Sequence, residues 1–281
     1  MRKLFFLSVL ICSSFLSFSQ WQAGLFGGIS TYRGDINGKS IFQKQLIKPA
    51  IGAIVRYEWS DLVHFRAGLT YAKVAGNDQY NEKEYLRIRN LNFESSLFEL
   101  SLLGEIHTFD LNVKRWSPYA FGGIAIYHFN PYTKDTAGQK VYLRPLSTEG
   151  QGLPGYGKRY SLTQFALPFG AGIKFKLTDR LLLGAEMGFR KLFTDYLDDV
   201  SSNYADAADL LASRGQQAVD LAYRSDELPG GNPNYPEKGA QRGGSLQKDW
   251  YYFTGLHLSY RLGSGFSSGG RSRLDCPKVP L

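Results

Sequence analysis

Hydrophobic and polar residues alternate with a period of two over eight stretches of this chain. The clearest is Gln164–Lys176. Phe165, Leu167, Phe169, Ala171, Ile173 and Phe175 fall on one side, and Gln164, Ala166, Pro168, Gly170, Gly172, Lys174 and Lys176 on the other. Successive side chains of a strand point to opposite faces, whereas a helix would scatter both sets around its circumference. The same reading predicts strands over Trp21–Ser30, Pro49–Glu58, Leu62–Lys73, Phe93–His107, Tyr119–Phe129, Leu181–Lys191 and Asp249–Leu262. In each, one face is apolar. The opposite faces together carry Arg56, Glu58, Arg66, Glu99, Glu105, Lys174, Lys176, Glu186, Arg190 and Arg261.

The connections between these stretches alternate in length. Residues 59–61 join the second strand to the third, and 177–180 join the sixth to the seventh, with a moderate link at 108–117 between the fourth and fifth. The remaining links, about 31–48, 74–92, 130–160 and 196–248, are long. Short turns on one rim and long loops on the other predict an all-β fold, an eight-stranded antiparallel transmembrane β-barrel. Lipid offers no partner to an open sheet edge, so the sheet must close. An interior of this size is just filled by side chains, and charges of both signs there predict a plugged lumen instead of a pore.

Outside the barrel pattern, Ala207, Leu210, Leu211, Ala218, Leu221 and Ala222 form a helical stripe in the last long loop, interrupted at Arg214, and 228–244 reads as irregular. At the N-terminus, Arg2 and Lys3 precede a short apolar run, Leu4–Leu16, and Ser17 and Ser19 set small residues before Gln20. That predicts a signal peptide over residues 1–19, too short to span a bilayer as a helix. Cys12 lies inside the run behind Ile11, unlike a lipoprotein signal, and would leave with it. The expected barrel covers 20–262, and 263–281 reads as a flexible periplasmic tail opening on the Gly/Ser-rich 263–270.

Composition fits this picture: 18 Tyr, 19 Phe and 31 Gly are what alternating strands with aromatic girdles use. The formal charge of +8 falls to +6 without Arg2 and Lys3. No basic helix or stacking motif accompanies it, so no nucleic-acid partner is expected.

Candidate chemistry is sparse. Gly265-Phe266-Ser267-Ser268-Gly269 matches a nucleophile elbow by letter but sits in a Gly/Ser linker without the strand–turn–helix setting. His64, His107, His128 and His257 are scattered beyond any metal spacing. Asp195, Asp198 and Asp199 cluster after the seventh strand, but the calcium-loop spacing is absent, and a solvated or capping role is expected. The pairs Gly27-Gly28 and Gly122-Gly123 suit close packing in a narrow barrel better than phosphate binding. No catalytic residue, metal or cofactor is therefore expected, and the chain does not read as an enzyme. Cys276 would be the sole cysteine of the exported chain, which suggests an intermolecular disulfide or a free thiol, reactive or inert.

Two motifs carry a family resemblance. Pro118-Tyr119-Ala120-Phe121-Gly122-Gly123-Ile124-Ala125, ending His128-Phe129-Asn130-Pro131, resembles the fifth strand of Bacteroidota outer-membrane barrels. Thr194-Asp195-Tyr196-Leu197-Asp198-Asp199-Val200-Ser201 is similar to a motif that follows their seventh. That family includes PorG, the barrel component of the type IX secretion system. The resemblance runs over about 21–262, and Cys276-Pro277 extends it. It implies outer-membrane localisation, contact with outer-membrane lipids, and a non-enzymatic role anchoring a periplasmic complex. It also implies that Cys276 matches a position cross-linked to the periplasmic ring lipoprotein. The alternative is a receptor or adhesin acting through the extracellular loops.

Overall fold

The computed structural model describes residues 20–37, 42–244 and 247–263. The expected signal peptide, Cys276 and the tail from residue 264 onward lie outside the described residues.

All eight expected strands form. They are β1 (Trp21–Arg33), β2 (Lys48–Glu58), β3 (Val63–Asn77), β4 (Asn92–His107), β5 (Trp116–Lys134), β7 (Thr163–Lys176), β8 (Leu181–Leu192) and β9 (Trp250–Arg261). A further short strand, β6 (Lys140–Tyr142), pairs only with the outer end of β5. Each barrel strand runs antiparallel to its neighbours, and β1 pairs with both β2 and β9, so the eight close into a ring.

Alternation decides what each face meets. Outward side chains such as Leu25, Ile51, Phe65, Leu69, Leu100, Ile106, Ile124, Phe165 and Leu256 are each at least half exposed. A continuous apolar belt around a closed barrel is the surface of a protein solvated by lipid, and the fold is that of an outer-membrane β-barrel. Aromatic pairs mark its short-turn rim, with Trp21–Tyr57, Trp59–Phe65 and Phe109–Trp116 ring centroids 5.1–5.7 Å apart. Inside, two glycines allow strands to approach closely: a Cβ at Gly28 would stand 2.3 Å from the Thr254 carbonyl oxygen, and one at Gly123 2.1 Å from that of Leu102.

The strands continue beyond the expected boundaries on the long-loop side, where β3 and β5 gain several residues and the loops pack over the mouth as a dome. A column of rings ties it to the barrel: Tyr127, Phe129, Tyr160 and Tyr196 follow one another at 5.6, 6.0 and 4.8 Å. Helices α1 (Glu84–Arg89), α2 (Leu143–Leu146), α3 (Ala207–Arg214) and α4 (Gln216–Ala222) all belong to these loops. The break in the last loop's helical stripe falls at Gly215, with φ +84°, and not at Arg214, which ends α3. Leu153, Ala205, Leu210 and Ala222 form a small separate core there. Residues 228–244 carry no helix and no strand beyond one isolated bridge, Asn203 to Gln241.

Candidate functional site

The lumen is filled by ion pairs drawn from the positions that alternation assigned to it. Glu105 on β4 is fully buried, accepts from Arg56 Nε at 2.9 Å and Lys174 Nζ at 3.0 Å, and forms an ion pair with Arg66 Nε at 3.2 Å. Arg66 reaches on to Glu186 at 2.6 Å, and Glu186 also accepts from the Tyr119 hydroxyl at 2.6 Å. Nearer the dome, Arg190 holds Glu99 through two nitrogens, at 3.1 and 3.3 Å, and the Tyr251 hydroxyl donates to the same carboxylate at 2.7 Å. Near the short-turn rim Arg261 pairs with Glu58 at 3.0 Å. Only Lys176 departs from the lumen network, pairing with Asp179 in the adjacent turn at 3.3 Å. Buried charges survive in low dielectric only when paired and hydrogen-bonded, and here the alternate faces supply both signs.

Two of the four histidines, His64 and His107, come together in space. His64 is directly opposite Glu105 in the β3–β4 register, and its ring lies 4.4 Å from that of His107. His64, Glu105 and His107 bring ligand atoms within 4.8 Å of one another, a grouping that sequence separation hides. The Lys174 ammonium, however, stands 3.0 Å from Glu105 and 3.3 Å from His107 Nε2, where a cation would sit. His257 contacts the Tyr119 hydroxyl at 3.0 Å, while His128 is exposed beside Thr163. These contacts assign the cluster to the plug.

Midway along the lumen, between Arg66, Glu186 and Arg190, lies a cavity of about 20 Å³, room for a water molecule or so. Both mouths are covered. The turn between β4 and β5 tucks Leu111, 3% exposed, under the short-turn end, and Arg261 Nη1 ties Asn112 to it at 3.2 Å.

The dome closes the other end with buried polar groups, among them the three aspartates expected to be solvated or capping. Asp195, Asp198 and Asp199 are buried. Asp198 accepts from the Tyr32 hydroxyl at 2.5 Å and from Val200 N at 2.9 Å. Asp249, which precedes β9, accepts from the same hydroxyl at 3.1 Å and from Leu197 N at 2.9 Å. Asp199, in the left-handed region at φ +66°, accepts from Thr148 Oγ1 at 2.5 Å and Tyr160 Oη at 2.6 Å. Burial raises all four carboxyls: Asp198 and Asp249 lie well above the usual carboxylate range, Asp195 is pushed up to about 7 and Asp199 to about 6. The charges of Asp35 on Asp198, and of Asp198 on Asp249, push in the same direction. Two buried arginines lock the loops together. Arg89 grips Asp78 at 2.7 Å and donates to the carbonyls of Asp35 and Arg242, and Arg242 binds Glu149 at 3.1 Å and the Asp199 carbonyl at 2.8 Å. No local motif announces these contacts, because the partners lie in different loops.

The family model described as "Domain of unknown function (DUF6089)" matches residues 1–213. No curated protein matches the sequence. Among solved structures, the Neisserial surface protein A is 8% identical, with 86% of this chain and 96% of that one covered and a TM-score of 0.41. The attachment invasion locus protein Ail of Yersinia pestis is 10% identical, covering 86% and 97%, with a TM-score of 0.40. The outer membrane protein OprG of Pseudomonas aeruginosa is 11% identical, covering 86% and 97%, with a TM-score of 0.41. At such identities the likeness concerns the fold alone.

Proposed function

This chain belongs to the DUF6089 family, and we propose that it is a non-enzymatic outer-membrane barrel that anchors a periplasmic complex, as a component of a type IX protein secretion system. The observation that carries the reading is the filled, charge-paired lumen. A barrel whose interior charges are spent on one another, with a mid-lumen cavity of about a water's size among the described residues and loops over both mouths, offers a membrane-embedded body instead of a conduit. What such a body can lend is position. Its last strand ends at Arg261 on the short-turn rim, so the Gly/Ser-rich segment that follows starts on the side taken as periplasmic.

The partner in this reading is the ring lipoprotein of the secretion machine, held through residues 263–281 and Cys276. A flexible chain of the length of 263–270 spans on the order of 15 Å. Arg271, Arg273 and Lys278 near Cys276 favour the thiolate that exchange requires. Cross-linking and pull-down from native membranes tests the proposal. Recovery of a periplasmic ring lipoprotein by the full chain, and its loss on deleting 263–281, is the expected result. Equal recovery by both forms refutes it.

A second reading, a receptor or adhesin, draws on the ordered dome with its own small core around Leu210 and Ala222. Deleting the α3–α4 segment separates the two. An anchor keeps its complex, whereas a receptor loses its ligand.

A further inference from the structure

We propose that the outer rim of the β8–β9–β1 face is a binding site for the phosphate of a phosphorylated membrane lipid, gripped by Arg33 and Lys191 on either side of Trp250. The inference rests on the barrel spanning a membrane and not on the anchoring role.

The register sets the geometry. Arg33 is directly opposite Trp250, and Trp250 is directly opposite Lys191, so the three form one row across adjacent strands. Adjacent strands lie about 4.8 Å apart, which separates the Arg33 and Lys191 backbones by about 10 Å. Two long side chains close such a gap onto one phosphate between them. Both residues are exposed and share the outward parity of the lipid-facing side chains.

Height places the row at the edge of the lipid. At the other end of the same strands, Leu181 is opposite Tyr260. From Leu181 to Lys191 the chain climbs about 33 Å along the strand at ~3.3 Å per residue. With a tilt of 35–45° that is about 25 Å along the barrel axis, the height of the apolar band of such barrels. Between these rows the outward positions of β1, β8 and β9 hold only apolar, Gly or Thr residues and Tyr252. Immediately below the row, Phe189 packs against Phe169 at 5.6 Å and against Tyr252 at 5.4 Å, and Trp250 lies 6.1 Å from Phe169. Acyl chains meet these rings, and the headgroup meets the cations.

Charge separates this face from the rest of the rim. On the far side Glu94 pairs with Lys48 and accepts from the Tyr132 hydroxyl at 2.6 Å, so an outward carboxylate stands among the rim cations there. No outward carboxylate stands on β1, β8 or β9 among the described residues. Arg33 meets the Tyr252 hydroxyl, a neutral partner that leaves its charge unanswered. Guanidinium and ammonium groups bind phosphate through short charge-assisted hydrogen bonds, and at the belt's edge a lipid is the phosphate's carrier.

The test compares the full chain with its R33Q/K191Q variant in detergent micelles, by native mass spectrometry with lipid A, dephosphorylated lipid A or inorganic phosphate added. Both substitutions lie outside the lumen, and heat-modifiable gel mobility checks that the variant still folds as a barrel; loss of that mobility by the unaltered chain would instead remove the barrel reading. The expected result is retention of phosphorylated lipid A by the unaltered chain, reduced at least tenfold in the variant, with weak and equal retention of the dephosphorylated lipid. Equal retention of the two lipids, equal retention by the two proteins, or displacement of the lipid by millimolar inorganic phosphate overturns the proposal. K48Q, at a cation already paired with Glu94, serves as a charge control and leaves retention unchanged; a loss as large as that of R33Q/K191Q overturns the proposal.

Discussion

Replacing Glu105 by Gln tests whether the paired lumen holds the barrel together. The substitution keeps the shape and removes one charge. The oxygen that accepts from Arg56 at 2.9 Å, with Arg66 Nε 3.2 Å away, survives as the amide carbonyl. The amide nitrogen then replaces the oxygen that lies 3.0 Å from Lys174 Nζ and 3.4 Å from His107 Nε2, so a donor faces an ammonium. One charge-assisted bond, roughly 1.5–3 kcal/mol, disappears. An ammonium stays buried without its partner, and breaking a buried pair in this way costs about 3–5 kcal/mol in all. Urea unfolding of the refolded protein in detergent, followed by tryptophan fluorescence and gel mobility, measures the difference. Glu94→Gln supplies the comparison, because the Glu94 side chain is 37% exposed at the rim and its ion pair is worth about 0–1 kcal/mol. Adding Lys174→Met to E105Q removes the stranded charge and is expected to recover part of the loss. A cost for E105Q no larger than for E94Q, or no recovery in the double variant, would refute the view that these pairs secure the lumen.

Other consequences are equally direct. Gly123→Leu places a side chain against the Leu102 carbonyl and is expected to block folding, read as loss of heat-modifiable mobility, whereas Gly138→Leu, in a loop and open to solvent, leaves that mobility intact despite its positive φ. Asp195 and Asp199 have folded-state pKa values raised to about 7 and about 6, so they favour the dome when protonated. Their contribution is fully present below the ordinary carboxylate pKa near 4 and is lost as pH rises through the folded values, across a window of about pH 4–7. Limited proteolysis of 196–244 should therefore quicken over that window, and Asp195→Asn, neutral throughout, should flatten the dependence; an unchanged profile in the variant counts against it. Cys276→Ser is expected to abolish a high-mass band on non-reducing gels while the barrel folds normally. A monomeric unaltered protein whose thiol labels freely would exclude the disulfide.

The strands and their lumen side were legible because a period of two leaves no freedom. Once Phe165, Leu167 and Phe169 face lipid, Lys174 must face inward, and the same parity placed Arg56, Glu105 and Arg190. Partners were not legible, since Glu105 meets Arg56 through a register that one sequence does not state. The same register brings His64 beside His107. β6 escaped notice because three residues carry no periodicity, and its pairing follows from the turn in which Gly138 takes φ +77°. Leu111 lies in the 108–117 link, where no periodicity singles it out, although its burial closes a mouth. Residue type and spacing suggest a solvated or capping role for the dome's aspartates, but cannot show that Tyr32, Thr148 and Tyr160 come from three distant segments to cover them.

The seam between β1 and β9 governs how the molecule can be made. Gln22 lies opposite Arg261, so the first and last strands must find each other across nearly the whole sequence. Arg56 on β2 bonds Ser259 on β9 over the inner face of β1 at 2.6 Å, a contact between residues 203 positions apart. Until that seam forms, two strand edges and a row of charges face whatever surrounds them, and lipid tolerates neither. No stable half-barrel can insert and wait for the remainder. Contacts of such long range are slow to form, because chain entropy is spent before they repay it. The chain must therefore be delivered whole and kept from collapsing on its way, and its assembly in the bilayer is a single cooperative event whose last step is also its commitment.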